Sequence, residues 1–255
     1  MRTQLVVTDL TLMHEDRICV AGYMEGGACV RPVCDRNHLR KSWLVTGTGQ
    51  IVRPFTLISL DFLRNEPQPP HAEDWVIRPQ EPSVVGLLSS DEQMQLLTRL
   101  ADPSVASIFG AKIHSGPGYY VRAGEGSRSL GTVKPMYPPT VTYRLYDGKW
   151  DYRISFVDQA GDEYRLSVVD MAFRYRLDEL SVRARKTPHE AELCLDERLA
   201  ASQVWLRVGL ARGWQKFPDR CYLQITGVYT FPDYLDGRCW VDLALRPEEL
   251  ARRQR

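Results

Sequence analysis

The chain has 255 residues, of which 44% are hydrophobic and 25% are charged, and these values are those of a globular protein. Thirty-three Lys and Arg against 32 Asp and Glu leave a formal net charge of +1. This balance argues against a protein that coats nucleic acid through bulk charge, but it leaves a local basic site open. The length accommodates one large β domain or two domains of about 100–130 residues.

The amino terminus and the cysteines indicate the cellular compartment of the protein. The sequence turns polar at Thr8 and Asp9, too early for the apolar core of a signal peptide, and no apolar run approaches the roughly 18 residues that span a bilayer. Six cysteines spread over the chain are too sparse for a disulfide scaffold, and without a secretion signal we expect reduced thiols. We therefore expect a cytoplasmic protein without a membrane partner.

In the first half, short apolar runs alternate with turn residues. Residues 5–7 open a first strand, residues 17–23 alternate in polarity, and residues 28–33 form a return strand after the turn at Gly26-Gly27. Residues 51–62 are a further strand pair or one long bent strand. Strands this short, with Gly and Pro between them, indicate a small barrel or sandwich rather than βαβ units.

A proline-rich stretch and a helix follow. Residues 65–82 carry five prolines, which predicts a surface excursion without regular structure. Ser89 and Glu92 have the spacing of a capping box, and they predict a helix that ends near Ala101, before Pro103. This helix is the expected divider between the two halves of the chain.

The second half repeats the pattern of short strands. The predicted strands are residues 130–135, 140–146, 149–156, 164–170, 204–210 and 221–229, with an Asp147-Gly148 hairpin turn between the second and the third. Thr187 and Glu190 predict a second helix start, and residues 247–255 are expected to be a short helix or a frayed end. About five strands in each half, with a helix between strands, is the element count of an OB barrel. The sequence thus predicts a mainly β fold with a few short helices, built as two OB-like antiparallel barrels in tandem at residues 1–104 and 105–255.

Seven short segments, taken in order, carry a resemblance to a known family. They are DRICVAG (16–22), VRPV (30–33), SLGTVKP (129–135), VTYRLYDGKWDYRISFVD (141–158), YRLSVVDMAF (164–173), VWLRVGLARGW (204–214) and CYLQITGVYTFPD (221–233). In these segments the chain resembles the bacterial dual OB-fold-containing domain family. The resemblance implies two OB barrels and a role connected with nucleic acids or nucleotides, beside bacterial defence genes. It brings no catalytic motif, so no catalytic residue is transferred.

Residues 113–128 combine flexible glycines, two adjacent aromatic residues and two arginines. Such sets hold single-stranded nucleic acids, because bases stack on aromatic rings while arginines and backbone N–H groups contact phosphates. The candidate nucleic-acid-binding residues of this segment are His114, Tyr119, Tyr120, Arg122 and Arg128. The alternative is an ordinary long loop whose tyrosines pack on the barrel.

Four more candidates lie outside this segment, three arginines at the ends of predicted strands and one tryptophan. Arg31, Arg207 and Arg212 would suit the rim of a barrel, where ligand-binding loops gather. Trp214 belongs to an aromatic-rich carboxyl-terminal quarter, whose rings would stack bases if they were exposed. The alternatives are solvent-facing strand positions for the arginines and core packing for the aromatic residues.

Signals for a metal site or for catalysis are weak. Cys29, Cys34 and His38 form the only metal-like cluster in the sequence, but no second Cys or His pair follows nearby. The sequence contains no Gly-x-Ser-x-Gly, His-Glu-x-x-His, kinase or Walker A signature. No metal, no cofactor and no catalytic residue is therefore predicted.

Three functions stay open at this point. The first is a non-catalytic module that binds single-stranded nucleic acid or a nucleotide, within a bacterial defence or nucleic-acid-processing assembly. The second is a protein–protein adaptor or a small-molecule or nucleotide sensor, which the net charge near zero favours and which predicts a discrete pocket or an apolar patch. The third is a small hydrolase or transferase in which His114 meets a carboxylate in a pocket.

Overall fold

The computed structural model describes residues 2–35 and 38–253, which form two β-sheets with helices between and beside them. Over these residues the strands of the first sheet are Arg2–Leu12 (β1), Ile18–Met24 (β2), Cys29–Val33 (β3), Thr56–Asn65 (β4), Asp74–Ile77 (β5) and Ser83–Leu87 (β6). Those of the second are His114–Ser115 (β7), Tyr119–Arg122 (β8), Leu130–Val133 (β9), Thr140–Tyr146 (β10), Lys149–Val157 (β11), Glu163–Val168 (β12), Gln203–Leu210 (β13) and Arg220–Phe231 (β14). The α-helices are Ser90–Leu100 (α1), Val105–Ile108 (α2), Met171–Val182 (α3), Pro188–Ala200 (α4), Trp240–Leu243 (α5) and Pro247–Arg253 (α6).

The first sheet closes into a barrel. Its strands follow the order β1-β2-β3-β5-β4, and β4 also pairs with β1. The β3–β5 pair is parallel, whereas the other neighbours in the barrel are antiparallel. Alternate residues of β1 and β4, such as Leu5 and Ile58, are fully buried because successive side chains of a strand point to opposite faces. This is the arrangement of a small five-stranded OB barrel.

The second sheet repeats this order without closing. The path β10-β11-β12-β14-β13 includes a parallel β12–β14 pair, but β13 pairs with β9 rather than with β10. The outer edge of β10 faces α4, where the carboxylates of Asp196 and Glu192 accept hydrogen bonds from the backbone N–H groups of Val141 and Tyr143, both at 2.7 Å. Helix α4 thus satisfies backbone donors that a closing strand would otherwise pair.

The two sheets pack directly against each other. A hydrophobic cluster joins Phe55 of the first unit and Leu97 of α1 to Trp205 and Tyr229 of the second sheet. The rings of Phe55 and Tyr229 meet edge to face with their centroids 4.7 Å apart. This shared core fixes the position of one sheet against the other.

The mainly β fold with two OB-like units is confirmed, with one unit a closed barrel and the other a curled half-barrel. Both expected capping boxes form, at Ser89 with Glu92 and at Thr187 with Glu190, and α1 and α4 begin where these residues predict. The division between residues 104 and 105 lies between α1 and α2 and stays a prediction. Residues 254 and 255 of the expected tail lie outside the described residues.

One local expectation was wrong, and one helix was not predicted. Residues 65–82 are not irregular throughout, because Asp74–Ile77 forms β5. Asp74 is buried there because it pairs with Arg31 of β3, a long-range partner that local sequence patterns do not reveal. Helix α3 was not predicted, because the consecutive buried residues at its start hide the helical period.

Neither a membrane-spanning helix nor a metal cluster occurs in the part of the chain that the structure describes. None of the helices there has the length and apolar character needed to cross a bilayer. No three His, Cys, Asp or Glu side chains converge there as metal ligands would. Of the metal-like cluster in the sequence, Cys29 lies beside Arg207, whose Nη2 is 3.9 Å from the thiol sulfur.

Candidate nucleic-acid interface

Residues 113–128 contain a β-hairpin that extends the second sheet. β7 pairs with β8, and β8 pairs with the start of β14, where Tyr120 lies opposite Tyr222. The hydroxyl of Tyr119 donates a hydrogen bond to the backbone carbonyl of Glu163 at 3.0 Å, and its ring packs 5.0 Å from that of Tyr164. Tyr119 therefore anchors the hairpin to β12, whereas Tyr120 packs against Tyr222 of β14.

Five rings form a continuous series at this end of the second sheet, and we call it the aromatic row. Its members, in spatial order, are Trp214, Phe217, Tyr222, Tyr120 and His114. The centroids of successive rings are 5.8, 6.4, 5.7 and 5.2 Å apart, and the last pair is stacked with its planes at 19°. Trp214 is 53% exposed and the other four residues are partly exposed, so the aromatic row lies at the surface.

Positive charge lies within the aromatic row. The guanidinium carbon of Arg220 is 4.5 Å from the ring centroid of Phe217 and 4.9 Å from that of Tyr120, and these are cation–π distances. A hydrogen bond to the Tyr222 hydroxyl raises the pKa of Arg220, so this side chain stays charged at neutral pH. The ammonium of Lys216 lies 5.6 Å from the Phe217 ring centroid. Aromatic surface and positive charge therefore occupy the same site.

The aromatic row lies where OB barrels commonly bind ligands. Trp214 and Phe217 belong to residues 211–219, which join β13 to β14. In the OB order of the second sheet these are the fourth and fifth strands. The loop between the fourth and fifth strands is one of the segments with which OB folds bind oligonucleotides and oligosaccharides. The β7–β8 hairpin adds Tyr120 and His114 to this loop.

Arg212 connects the same loop to the first barrel. Its Nη2 forms an ion pair with Asp74, whose other carboxylate oxygen lies 2.6 Å from Arg31 Nε. Close to these arginines, at the end of the β4–β5 loop, His71 is only 3% exposed. Burial, and then the charges of Arg31 and Arg212, lower the pKa of His71 to about 3. The β4–β5 loop and the β13–β14 loop, which hold equivalent places in the two OB units, thus meet at Asp74.

A family model for the dual OB-containing domain matches residues 5–228, which include most of both sheets and every residue of the aromatic row. The chain belongs to the dual OB-containing domain family. A search of the curated proteins found no match for it. The family therefore establishes the pair of OB folds, and the ligand of this member has to be argued from its own residues.

In this dual OB-containing domain, two of the predicted arginines are buried rather than placed at a rim. Arg207 has no exposed surface, because its guanidinium forms an ion pair with Asp9 and donates hydrogen bonds to Tyr23 and Thr132. Arg31 is 6% exposed and is paired with Asp74. Both the rim position and the solvent-facing position expected from sequence were wrong for these residues, so neither belongs to an exposed interface.

The remaining predicted residues divide between the interface and the scaffold. His114, Tyr120 and Trp214 are members of the aromatic row, and Arg122 is exposed on β8 beside it. Arg128 serves the scaffold, because its guanidinium donates hydrogen bonds to the backbone carbonyl of Ile108 and pairs with Asp102.

Sequence reasoning missed four residues of the site: Lys216, Phe217, Arg220 and Tyr222. Phe217 and Tyr222 belong to the aromatic-rich carboxyl-terminal quarter, from which only Trp214 was taken as a candidate, and both are partly exposed. A usable signal was present, because cationic and aromatic residues interleave over residues 214–222. Such interleaving is typical of surfaces that bind single-stranded nucleic acids.

Proposed function

We propose that this dual OB-containing domain binds single-stranded nucleic acid along the aromatic row. The observation that carries the proposal is the position of Arg220 between the rings of Phe217 and Tyr120, inside a series of five partly exposed rings. Bases that have left a duplex expose both faces, and they gain about 1–3 kcal/mol each by stacking on protein aromatic rings. Arginine and lysine beside such rings contact the phosphates that connect the bases.

The charge balance of the chain limits the kind of binding that we propose. With a net charge of only +1, the protein has too little excess positive charge to contact the phosphates of a long nucleic-acid strand. Arg122, Lys216 and Arg220 are the cations near the aromatic row that form no carboxylate pair among the described residues, whereas Arg212 forms an ion pair with Asp74, which it shares with Arg31. We therefore expect a short site in which stacking contributes more than charge. The logarithm of the binding constant should fall with the logarithm of salt concentration with a slope of about −2, as about three phosphate contacts on a single strand would give.

The interface lacks a group that the sequence or the structure identifies as catalytic. We therefore infer that this domain supplies binding to a nucleic-acid-processing or defence assembly whose chemistry resides in another protein or domain. Its partner would be a protein that acts on the bound strand. This part of the proposal is supported by the fold and by the character of the interface.

Fluorescence anisotropy of end-labelled oligothymidine and oligouridine of about twelve nucleotides tests the proposal, since OB folds cover about 4–16 nucleotides. We expect saturable binding at micromolar protein that weakens as salt is added. Trp214→Ala and Tyr120→Ala should each weaken binding by about five- to 150-fold, which is 1–3 kcal/mol. Changing Arg122 and Tyr120 together should abolish binding in this concentration range.

Tyr137→Ala provides the matched control. Tyr137 is 62% exposed and lies in the connection between β9 and β10, outside the aromatic row. Its replacement removes as much exposed aromatic surface but should leave the affinity within twofold of the wild-type value. If neither oligonucleotide shows salt-sensitive binding at micromolar protein, the proposed function is wrong. Equal losses in the Tyr137 and Trp214 variants would reject the aromatic row as the site.

A further inference from the structure

We propose that the first barrel holds the aromatic row in place instead of binding a second stretch of nucleic acid, and that Arg212 is the residue that positions the row. This inference rests on the proposed function, because it concerns the same interface. The protein then binds one strand per chain. Its affinity depends on a side chain that lies outside the surface that the strand contacts.

The face with which OB barrels commonly bind oligonucleotides is covered in the first unit. The second and third strands form that face, and here they are β2 and β3. Tyr23 lies opposite Cys29 and alternate residues of a strand share a face, so Tyr23, Cys29 and Arg31 lie on one face. Tyr23 and Arg31 are each 6% exposed. The guanidinium of Arg207 in β13 donates to the Tyr23 hydroxyl and lies 3.9 Å from the Cys29 sulfur. The second unit therefore occupies the surface on which the first barrel would bind a strand.

The hairpin that carries Tyr120 is held on two sides by backbone hydrogen bonds just beyond β8. The N–H of Ala123 donates to the carbonyl of Asp219, in the β13–β14 loop, at 2.9 Å. The N–H of Gly124 donates to the carbonyl of Pro69, in the β4–β5 loop of the first barrel, at 3.0 Å. The hairpin is therefore fixed against both the first barrel and the loop that supplies the other end of the aromatic row.

The β13–β14 loop is tied to the first barrel by a side chain. Arg212, near the start of this loop, forms an ion pair with Asp74 of β5. Farther along the loop, the Phe217 N–H donates to the Trp214 carbonyl at 2.8 Å. A loop with an internal hydrogen bond of this kind moves as one unit. The ion pair therefore sets where the rings of Trp214 and Phe217 lie relative to the rest of the aromatic row.

This ion pair can be removed without leaving a buried charge unpaired. Asp74 is 3% exposed, and it also pairs with Arg31, whose Nη2 lies 2.6 Å from its other carboxylate oxygen. The side chain of Arg212 is 49% exposed, so its loss opens no cavity in the core. Because the remaining Asp74–Arg31 pair balances the buried charge, we expect Arg212→Ala to keep the fold while the loop loses its fixed position.

Anisotropy titrations with the end-labelled oligouridine measure the affinity, the stoichiometry and the salt dependence. Arg212→Ala should weaken binding about tenfold, because a loop that is in place for only about a tenth of the time lowers the apparent affinity by that factor. The slope should stay at about −2, because no phosphate contact is lost. Arg122→Ala is the comparison, since losing a proposed phosphate contact should make the slope shallower by about 0.7. Arg212→Lys keeps a cation beside Asp74 and should restore most of the affinity.

Hydrogen exchange of the free protein tests the positioning role without nucleic acid. Arg212→Ala should speed the exchange of the Ala123 N–H, because its acceptor Asp219 lies in the loop that has been released. Arg198→Ala is the matched control. Arg198 on α4 has a nearly equal exposure of 51% and also forms an ion pair, with Asp236. Its replacement should change neither the exchange of Ala123 nor the affinity for the strand.

The outcomes separate this inference from the proposed function. A wild-type protein that binds no strand would remove both. If the strand binds but Arg212→Ala changes neither affinity nor exchange, only the positioning role is lost. A slope shallower by about 0.7 without faster exchange would make Arg212 a phosphate contact instead. Two strands per chain would overturn the role given to the first barrel. Thermal denaturation checks folding, and Arg212→Met, which keeps the aliphatic stem, replaces an unstable alanine variant.

Discussion

Asp9 of β1 and Arg207 of β13 form an ion pair between the two OB units in which both side chains are withdrawn from solvent. The Arg207 Nη2 lies 3.0 Å from a carboxylate oxygen of Asp9. The side chain of Arg207 is 0% exposed and that of Asp9 is 2% exposed. Tyr23 and Thr132 accept further hydrogen bonds from the Arg207 guanidinium, and Thr226 donates one to Asp9. The pair explains why β1 continues through the polar residue Asp9, where a local reading would end the strand.

Breaking this pair from one side should destabilise the protein strongly. Asp9→Leu leaves the Arg207 guanidinium buried without its counter-charge, and we expect the free energy of unfolding to fall by about 3–5 kcal/mol. The double variant Asp9→Leu with Arg207→Met should lose much less than the sum of the two single changes, because it leaves no unpaired charge. Urea denaturation of the four proteins measures the coupling. Additive losses would contradict the account of the ion pair.

The buried His71 predicts a dependence of stability on pH. Its pKa is lowered to about 3 in the folded protein from an ordinary value of 6.5, so the unfolded chain binds more protons between these two values. The contribution of His71 to stability is therefore fully present above pH 6.5 and declines as the pH falls towards 3, by up to about 1.4 kcal/mol per pH unit.

A second buried group opposes this trend in part of the same range. Burial raises the pKa of Asp170 to about 6 from 3.8, so the folded state holds more protons there and gains stability as the pH falls from 6 towards 3.8. Comparison of the wild-type protein with His71→Leu isolates the histidine. The variant should be about as stable at pH 7 and should become progressively more stable than wild type below pH 6.5, as measured by chemical denaturation. Parallel stability profiles for the two proteins would contradict a neutral, buried His71.

The contacts between α4 and β10 should protect the open edge of the second sheet. Asp196→Ala removes the acceptor of the Val141 N–H group, and we expect a loss of about 1–3 kcal/mol together with faster hydrogen exchange at Val141. Glu197→Ala is the control, because Glu197 is exposed on the same helix and its side chain caps no strand. If hydrogen exchange at Val141 is equally fast in the two variants, the carboxylate does not protect this edge.

The sequence predicts the parts of the fold that depend on local chemistry. The two capping boxes, the Asp147-Gly148 hairpin and the short alternating strands are local signals, and they identify the two OB-like units. Local sequence patterns do not reveal which residue pairs with a buried charge. Arg207 looks like a solvent-facing strand residue, because its partner Asp9 lies 198 positions away in sequence.

The candidate site was predictable only where its residues lie close together in sequence. Tyr120, Arg122 and His114 stood out because glycines and aromatic residues are adjacent in one segment, whereas Phe217 and Tyr222 were not singled out as candidates. Only the pairing of β8 with β14 brings Tyr120 opposite Tyr222 and makes one series of rings from two segments. Strand pairing over this distance depends on the whole sheet, so composition alone does not reveal it.

Ultraviolet cross-linking to an oligouridine strand, followed by mass spectrometry of the linked peptides, tests the central claim most directly. Stacked bases cross-link to the rings that they contact, so we predict cross-links at Trp214, Phe217, Tyr222 and Tyr120 and their loss at high salt. Tyr137 and Tyr146, which are 62% and 67% exposed, should not be linked. Cross-links at those two tyrosines in place of the aromatic row, or no cross-links at all at saturating strand, would contradict the proposal that this row binds single-stranded nucleic acid.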